Sequence, residues 1–166
     1  AGFLEKYVED LLEGKNKVHP SYDLWEEYEG ITFYSVSSIF AAYSSMIQIY
    51  KIIKDEYSNN RLKQEQIENR RKNLEKRVRQ IKEYALKTFY DEDKKCFVRN
   101  TIDRRLDISI LGAVYPFKMI TAKEKRVLTT IERMNMTLRT YTGGYIRYEG
   151  DTYNGGYNPW VIANLW

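Results

Sequence analysis

The chain has 166 residues with a net charge of +4, and 43% of its residues are hydrophobic, which suits one domain with a real core and argues against a disordered tail. A single cysteine, Cys96, excludes an internal disulfide, and a single histidine, His19, leaves no set of soft ligands for a structural zinc. Because we find neither a run of eighteen apolar residues nor a basic segment followed by an apolar one at the N-terminus, we predict no membrane span and no signal peptide, which favours a cytoplasmic location.

The motif content limits the chemistry that the chain can perform. It contains no G-x-S-x-G elbow to present a serine nucleophile and no glycine-rich phosphate loop. His19 is more often a loop residue than a catalyst, and Cys96 is expected to pack as a small apolar group. The carboxylates are therefore the available catalytic groups, and we expect no cofactor and no metal.

Three helices are predicted in the first half of the chain. In the first, apolar residues recur at helical spacing before a plausible stop at Gly14; they are Phe3, Leu4, Val8, Leu11 and Leu12. Residues 33–56 carry apolar side chains on nearly every side, which predicts a helix buried on most of its surface. After a turn at 57–60, a narrow apolar stripe marks the third helix; it consists of Ile67, Leu74, Val78, Ile81 and Ala85.

The third helix also holds most of the positive charge, with ten Lys or Arg residues against four Glu between residues 61 and 87. We interpret this as a solvated face on which Lys and Arg stems cover apolar surface. The alternative is a nucleic-acid contact, which would weaken steeply with salt. We expect neither nucleic acid nor a membrane among the partners.

The second half of the chain gives shorter elements. Residues 90–106 alternate around CFVRN, which is compatible with a short strand pair or with a loop. Asp107 is a candidate N-cap for a short apolar helix that Pro116 should end. Thr121 and Glu124 match a capping box before a fifth helix, whose inward face holds Val127, Leu128, Ile131, Met134 and Leu138.

A loop rich in glycine and tyrosine at 141–158 leads into a sixth helix, for which Asn158 and Pro159 are the predicted N-cap and first residue. This helix ends with an apolar face only half made, so we expect the chain to be part of a larger domain. Long connections follow helices one, three and five, and short ones follow helices two and four. If successive helices are antiparallel, the three long connections lie at one end of the bundle, where we expect a functional site.

The segment SYDLWEEYEG at 21–30 gathers Asp23, Glu26 and Glu27 around Trp25. Adjacent residues point in different directions, so the two glutamates should have different roles. Crowding, and burial beside the tryptophan, would raise a carboxyl pKa, which is how a general acid stays protonated. Glycoside hydrolysis needs such an acid, an aromatic surface for the sugar and polar groups that hold its hydroxyls. The alternatives are an acidic helix N-terminus and a core role for Trp25.

The loop at 141–158 adds complementary groups at the same end of the bundle. Arg147 can donate hydrogen bonds in a fork, and Asp151 can accept them from two vicinal hydroxyls. Other polar and aromatic side chains surround this pair; they are Glu149, Tyr145, Tyr148, Tyr153 and Trp160. The alternative is an internal salt bridge between Arg147 and Asp151 that fixes the loop, and both roles can coexist.

Three segments together resemble glycoside hydrolase family 15, the glucoamylases with their glucodextranase and trehalase relatives. They are YDLWEE followed by TFYSVSSIFAA, then LDISILGAVYPF, then RYEGDTYNGGYNPWVIANLW. The resemblance runs from about residue 20 to the end of the chain, and it depends on two strong motifs in the family's order and a weaker third.

The resemblance implies an all-α fold of the (α/α)6 toroid type, of which residues 1–166 would form about half as a single segment truncated at both ends. It implies an exo-acting, inverting enzyme that releases glucose from an α-linked gluco-oligosaccharide or polysaccharide. Glu26 falls on the family's general acid. Six residues fall on positions around the substrate: Asp23, Trp25, Glu27, Arg147, Tyr148 and Asp151.

In the family, the general base lies downstream of a segment like NPWVIANLW, so the resemblance places it in the remainder of the parent polypeptide, after Trp166. A second interpretation therefore stays open, namely a helical carbohydrate-binding or regulatory module of the same fold without catalysis. The sequence also does not decide between α-1,4, α-1,6 and α,α-1,1 linkages.

Overall fold

A computed structural model of the chain describes residues 2–13 and 20–166. Gly14 and His19 lie outside the described residues, as does the side chain of Phe3. The described part is mostly helical with short strands, as the all-α class predicts. The three helices predicted in the first half are present, and the second has the predicted bounds; they are α1 (Gly2–Leu12), α2 (Phe33–Glu56) and α3 (Arg61–Phe89).

Helix α2 packs along α3 after the short turn at 57–60, and α1 contacts α3. Capping side chains define where both long helices begin. Thr32 Oγ1 accepts from the Ser35 amide at 3.0 Å, and Asn60 Oδ1 accepts from the Lys63 amide at 3.1 Å, which satisfies backbone donors at each helix start.

The prediction that α2 is buried on most of its surface is wrong for its C-terminal half. Phe33, Val36 and Tyr43 are buried, whereas Ile49 and Ile52 are 53% and 64% exposed. Among the described residues, α2 is also the one helix with the length and composition of a membrane span, a property that the core helices of globular domains share.

The apolar stripe of α3 is confirmed, because Ile67, Leu74, Ile81 and Ala85 are buried. The helix also forms ion pairs with its neighbours α1 and α2. Examples join Lys54 to Glu68 at 2.8 Å and Arg77 to Glu9 at 2.9 Å.

A small hairpin that the sequence analysis did not predict precedes α2. Its strands, β1 (Ser21–Tyr22) and β2 (Glu29–Gly30), pair antiparallel. After α3, β3 (Tyr90–Asp91) pairs antiparallel with β4 (Cys96–Phe97). Of the two alternatives that the sequence left open for residues 90–106, the short strand pair is therefore present. Phe97 stacks on Phe33 with 5.0 Å between ring centroids, so this second hairpin packs on the start of α2.

Asp107 is the N-cap that the sequence predicted. Its side chain accepts from the Ser109 amide at 2.8 Å, and a 3-10 helix, Ile108–Ala113, follows and ends before Pro116. The short apolar helix is therefore confirmed, with a tighter winding than an α-helix.

The predicted capping box of the fifth helix is wrong. This helix, α4 (Lys125–Thr137), has Glu124 as its N-cap, without a side-chain cap bond. Thr121 Oγ1 instead accepts from the Lys123 amide at 3.1 Å, and the Glu124 carboxylate pairs with Arg126. Both side chains are therefore used locally and do not close a reciprocal box.

The predicted start of the last helix is also wrong. This helix, α5 (Val161–Leu165), begins after Trp160 and not at Pro159. The Trp160 amide donates to the Tyr145 carbonyl at 3.0 Å, and the Asn158 side chain donates to the Asn154 carbonyl. These bonds keep the backbone before α5 extended and take Asn158 away from a capping role.

Candidate active site

The loop between β1 and β2, residues 23–28, is called the acid loop below. It is folded by Asp23, whose Oδ1 accepts from the amides of Trp25 at 3.1 Å, Glu27 at 3.0 Å and Tyr28 at 3.4 Å. The Asp23 amide in turn donates to the Tyr28 carbonyl at 2.9 Å. The acidic cluster is thus a hairpin loop, and the alternative of a helix N-terminus is wrong.

The second oxygen of Asp23 accepts from Arg99, which the sequence analysis did not single out. The Arg99 guanidinium lies over two aromatic rings, 4.5 Å from the centroid of Tyr28 and 4.3 Å from that of Tyr148. A cation over the face of an aromatic ring is attracted to it electrostatically. Both oxygens of Asp23 are therefore bonded within the protein.

Glu26 and Glu27 do have different surroundings, as adjacent positions predict. Glu26 has a φ of 58°, in the left-handed region, which costs a residue with a β-carbon roughly 1–2 kcal/mol. Its side chain is exposed, in contrast to the expected burial beside Trp25, and none of the described residues pairs with its carboxylate. Backbone strain of this kind concentrates at functional sites.

Glu27 joins the acid loop to the loop after α4. Its Oε1 accepts from Arg147 Nη1 at 2.8 Å, and its Oε2 accepts from the Tyr148 hydroxyl. Burial, and then the hydrogen bond to Glu27, raises the pKa of Tyr148, so this phenol stays protonated and remains a donor.

Arg147 and Asp151 form a buried bidentate pair. Arg147 Nε donates to Asp151 Oδ2 at 2.9 Å, and Nη2 donates to Oδ1 at 2.7 Å. Burial alone would raise the pKa of Asp151, but the bonds from Arg147 and from the Tyr153 amide hold that pKa below its ordinary value. The internal salt bridge that the sequence left as an alternative is present.

An aromatic wall surrounds the Arg147 guanidinium. The ring centroid of Trp160 lies 4.8 Å from it, that of Tyr153 5.0 Å and that of Trp25 5.7 Å. Trp25 is partly buried and also packs against the core. The Trp25 ring and the Arg147–Asp151 ion pair are therefore neighbours.

Asp107 contacts this cluster through Trp25. The Trp25 indole Nε1–H donates to both of its carboxylate oxygens, at 3.2 and 3.0 Å. Asp107 is 1% exposed, and this burial raises the pKa of its carboxyl to about 6, against the opposing effect of Arg99. The sequence signalled Asp107 only as an N-cap, and no spacing pointed to Arg99.

The three long connections therefore meet, as the order of helices predicted. Glu27 and Trp25 from the first, Asp107 from the second and Arg147 from the third are in contact. Tyr148 and Asp151 belong to the same cluster, while Asp23 lies at its Arg99 side. Glu26, next to Glu27 in the acid loop, is exposed at the rim of the site. In the part of the chain that the structure describes, no group of three His, Cys, Asp or Glu side chains could hold a metal ion.

Comparison with known proteins identifies the chain. The model of the glycosyl hydrolases family 15 matches residues 14–166. An uncharacterized glycosyl hydrolase of Methanocaldococcus jannaschii is 31% identical over 173 residues, which cover 99% of this chain and 26% of that protein. These matches place the chain among the glycosyl hydrolases. Within that class, it belongs to glycosyl hydrolase family 15, and it spans about a quarter of the length of the relative.

Proposed function

We propose that the parent protein is an exo-acting, inverting hydrolase that releases glucose from the non-reducing ends of α-glucans, of the glucan 1,4-α-glucosidase type. Residues 1–166 would form about half of its (α/α)6 catalytic domain, as a single segment. Membership of family 15 supports the reaction class. The observation that carries the assignment of the acid is Glu26, an exposed carboxylate in a left-handed backbone beside the Glu27–Arg147 ion pair.

Glu26 is the carboxyl that we assign as general acid, because its neighbours are already engaged. Asp23, Asp107 and Asp151 each have both oxygens bonded within the protein, and Glu27 is paired with Arg147. A general acid must reach the glycosidic oxygen and give it a proton as the C–O bond breaks. An unpaired side chain at the rim of the cluster meets this requirement.

Glu27, Arg147 and Asp151 are the polar groups that we propose hold the terminal sugar, together with Tyr148. Each carboxylate oxygen can accept more than one hydrogen bond, so the pairing with Arg147 leaves capacity for sugar hydroxyls. Trp25 would offer its ring to the apolar face of the sugar. We also assign Asp23 to the substrate site, because its hydrogen bonds fold the acid loop that carries Trp25, Glu26 and Glu27.

The general base would be a carboxylate from the remainder of the parent polypeptide. Inversion requires it about 6.5 to 9.5 Å from the acid, which leaves room for the attacking water. The carboxylates of the cluster are engaged, as described above, which supports a base from outside it.

The test is the release of glucose from maltooligosaccharides by the full-length protein. Glu26→Gln should abolish release while binding and the unfolding transition are kept, and the first product should be β-glucose. Glu29→Gln is the matched control, because Glu29 is an exposed carboxylate of the adjoining strand, and it should retain activity. Undiminished glucose release by Glu26→Gln would refute the assignment, and sugar binding without any hydrolysis would favour the binding-module alternative.

A further inference from the structure

Asp107 contacts both of the loops that build the proposed site. Its carboxylate accepts from the Trp25 indole in the acid loop at 3.2 and 3.0 Å. Its own segment pairs with the loop after α4, because the Ile108 amide donates to the Arg147 carbonyl at 2.9 Å and Asp107 forms a β-bridge with Tyr148.

We propose that Asp107 is a positioning residue that fixes the acid loop relative to the sugar-holding residues by anchoring the indole of Trp25. The inference depends on the proposed function, because it concerns the placement of Glu26. Asp107 is 1% exposed, so it has no access to substrate and acts only through its neighbours.

The carboxylate is itself held in place, which makes it a rigid anchor. Oδ1 accepts from the Ser109 amide at 2.8 Å, and Oδ2 lies 3.6 Å from Arg99 Nε. Because the aspartate side chain is short and bonded on several sides, the indole N–H can satisfy its hydrogen bond in one orientation of the ring.

Trp25 immediately precedes Glu26, so the ring orientation sets the backbone from which the proposed acid projects. Glu26, whose φ of 58° is in the left-handed region, lies in the chain between Asp23 and Glu27. Asp23 bonds to Arg99, and Glu27 bonds to Arg147. Without the indole anchor, the strained residue could relax towards ordinary backbone angles and move its carboxyl. A displacement of about 1 Å at a reacting group can cost about 100-fold in rate.

The experiment is a double-mutant cycle on glucose release by the full-length protein. Asp107→Ala removes the acceptor, and Trp25→Phe keeps an aromatic ring but removes the indole N–H. In the wild-type background, Asp107→Ala should lower kcat by up to about 100-fold and change KM less. In the Trp25→Phe background, the same substitution should have a much smaller effect, because residues that act as a unit are not additive.

Asp107→Asn keeps an acceptor oxygen for the indole and should retain more activity than Asp107→Ala. Asp91→Ala is the matched control, because Asp91, the last residue of β3, also accepts from backbone amides, those of Asp93 and Lys94 in the turn before β4. It should leave kcat near the wild-type value.

A second measurement does not depend on activity. With tryptophan labelled at the indole nitrogen, the Trp25 resonance is identified by its absence in Trp25→Phe, and it should shift in Asp107→Asn if the contact exists. An unshifted resonance, or the same fractional loss of kcat in both backgrounds, would overturn the positioning role alone. A wild-type protein that releases no glucose would overturn the proposed function, and this inference with it.

Discussion

Glu27 and Arg147 form an ion pair, with 2.8 Å between Oε1 and Nη1, that ties the acid loop to the loop after α4. The pair lies at the edge of the site, since the Glu27 side chain is 32% exposed while that of Arg147 is 4% exposed. The arginine is thus fixed on its buried side by Asp151 and meets the acid loop on its outer side. The following variants probe these contacts.

Glu27→Gln should affect sugar binding more than folding. The amide keeps an acceptor for Arg147 or Tyr148 but loses its charge, and a partly exposed ion pair contributes only about 0–1 kcal/mol to the free energy of unfolding. If Glu27 holds the sugar equally in the ground and transition states, KM should rise with little change in kcat. Steady-state kinetics on maltooligosaccharides check this, with Glu29→Gln as the control. A fall in kcat at constant KM would contradict the role.

Asp151→Ala should destabilise the protein strongly. It leaves a buried guanidinium without its bidentate partner, and breaking a buried pair costs about 3–5 kcal/mol. Denaturant unfolding measures the loss. Glu124→Ala, which breaks the more exposed pair with Arg126, should cost less than about 1 kcal/mol. Equal losses in the two variants would show that the Arg147–Asp151 pair is not important for stability.

The same pair should make stability depend on pH. Because the pKa of Asp151 is lowered in the folded protein, its contribution is present above the ordinary carboxyl pKa and is lost as the pH falls through the lowered value. Asp151→Asn should therefore flatten the acid side of the stability profile. If stability fell with acid in Asp151→Asn as it does in the wild type, this would argue against a lowered pKa of Asp151.

Asp107 should give the opposite dependence. Its carboxyl pKa is about 6 in the folded protein against an ordinary 3.8, so the folded state binds the proton more tightly. The contribution of Asp107 to stability is then largest below pH 4 and is lost as the pH rises towards 6, by up to about 3 kcal/mol relative to Asp107→Asn. Unfolding of both proteins at several pH values tests this. If the difference in the free energy of unfolding between the two proteins did not change with pH, the raised pKa of Asp107 would be contradicted.

Gly30→Ala should disturb the base of the acid loop. A β-carbon there would lie 2.2 Å from Nδ2 of Asn100, which is 1% exposed and cannot move aside freely. We expect a loss of roughly 1–3 kcal/mol in the free energy of unfolding. Gly143→Ala is the comparison, because its β-carbon would meet nothing within 4 Å and it carries backbone strain only. If Gly30→Ala lost no more free energy of unfolding than Gly143→Ala, this would show that the Asn100 side chain moves aside.

Local sequence determined much of the fold. The apolar pattern predicted α2 with its bounds and α3 with its stripe, and Asp107 was predicted as an N-cap, because helix formation and capping depend on residues within a few positions of each other. The order of long and short connections predicted that three loops meet, and the motifs within them indicated family 15, which the comparisons show. The two wrong helix starts, at Thr121 and Asn158, were decided by competing bonds to residues two and four positions away.

Only the tertiary structure decided how the charges are paired. The sequence placed Asp23, Glu26 and Glu27 together but could not show that Arg99 engages the first and Arg147 the third, leaving Glu26 at the rim. No local signal showed that Arg99 and Asp107 belong to the site, since their partners in the acid loop lie 76 and 82 positions away. The physical reason is that a buried ion pair or an indole anchor is set by packing between segments distant in the chain, whereas periodicity and capping report only near neighbours.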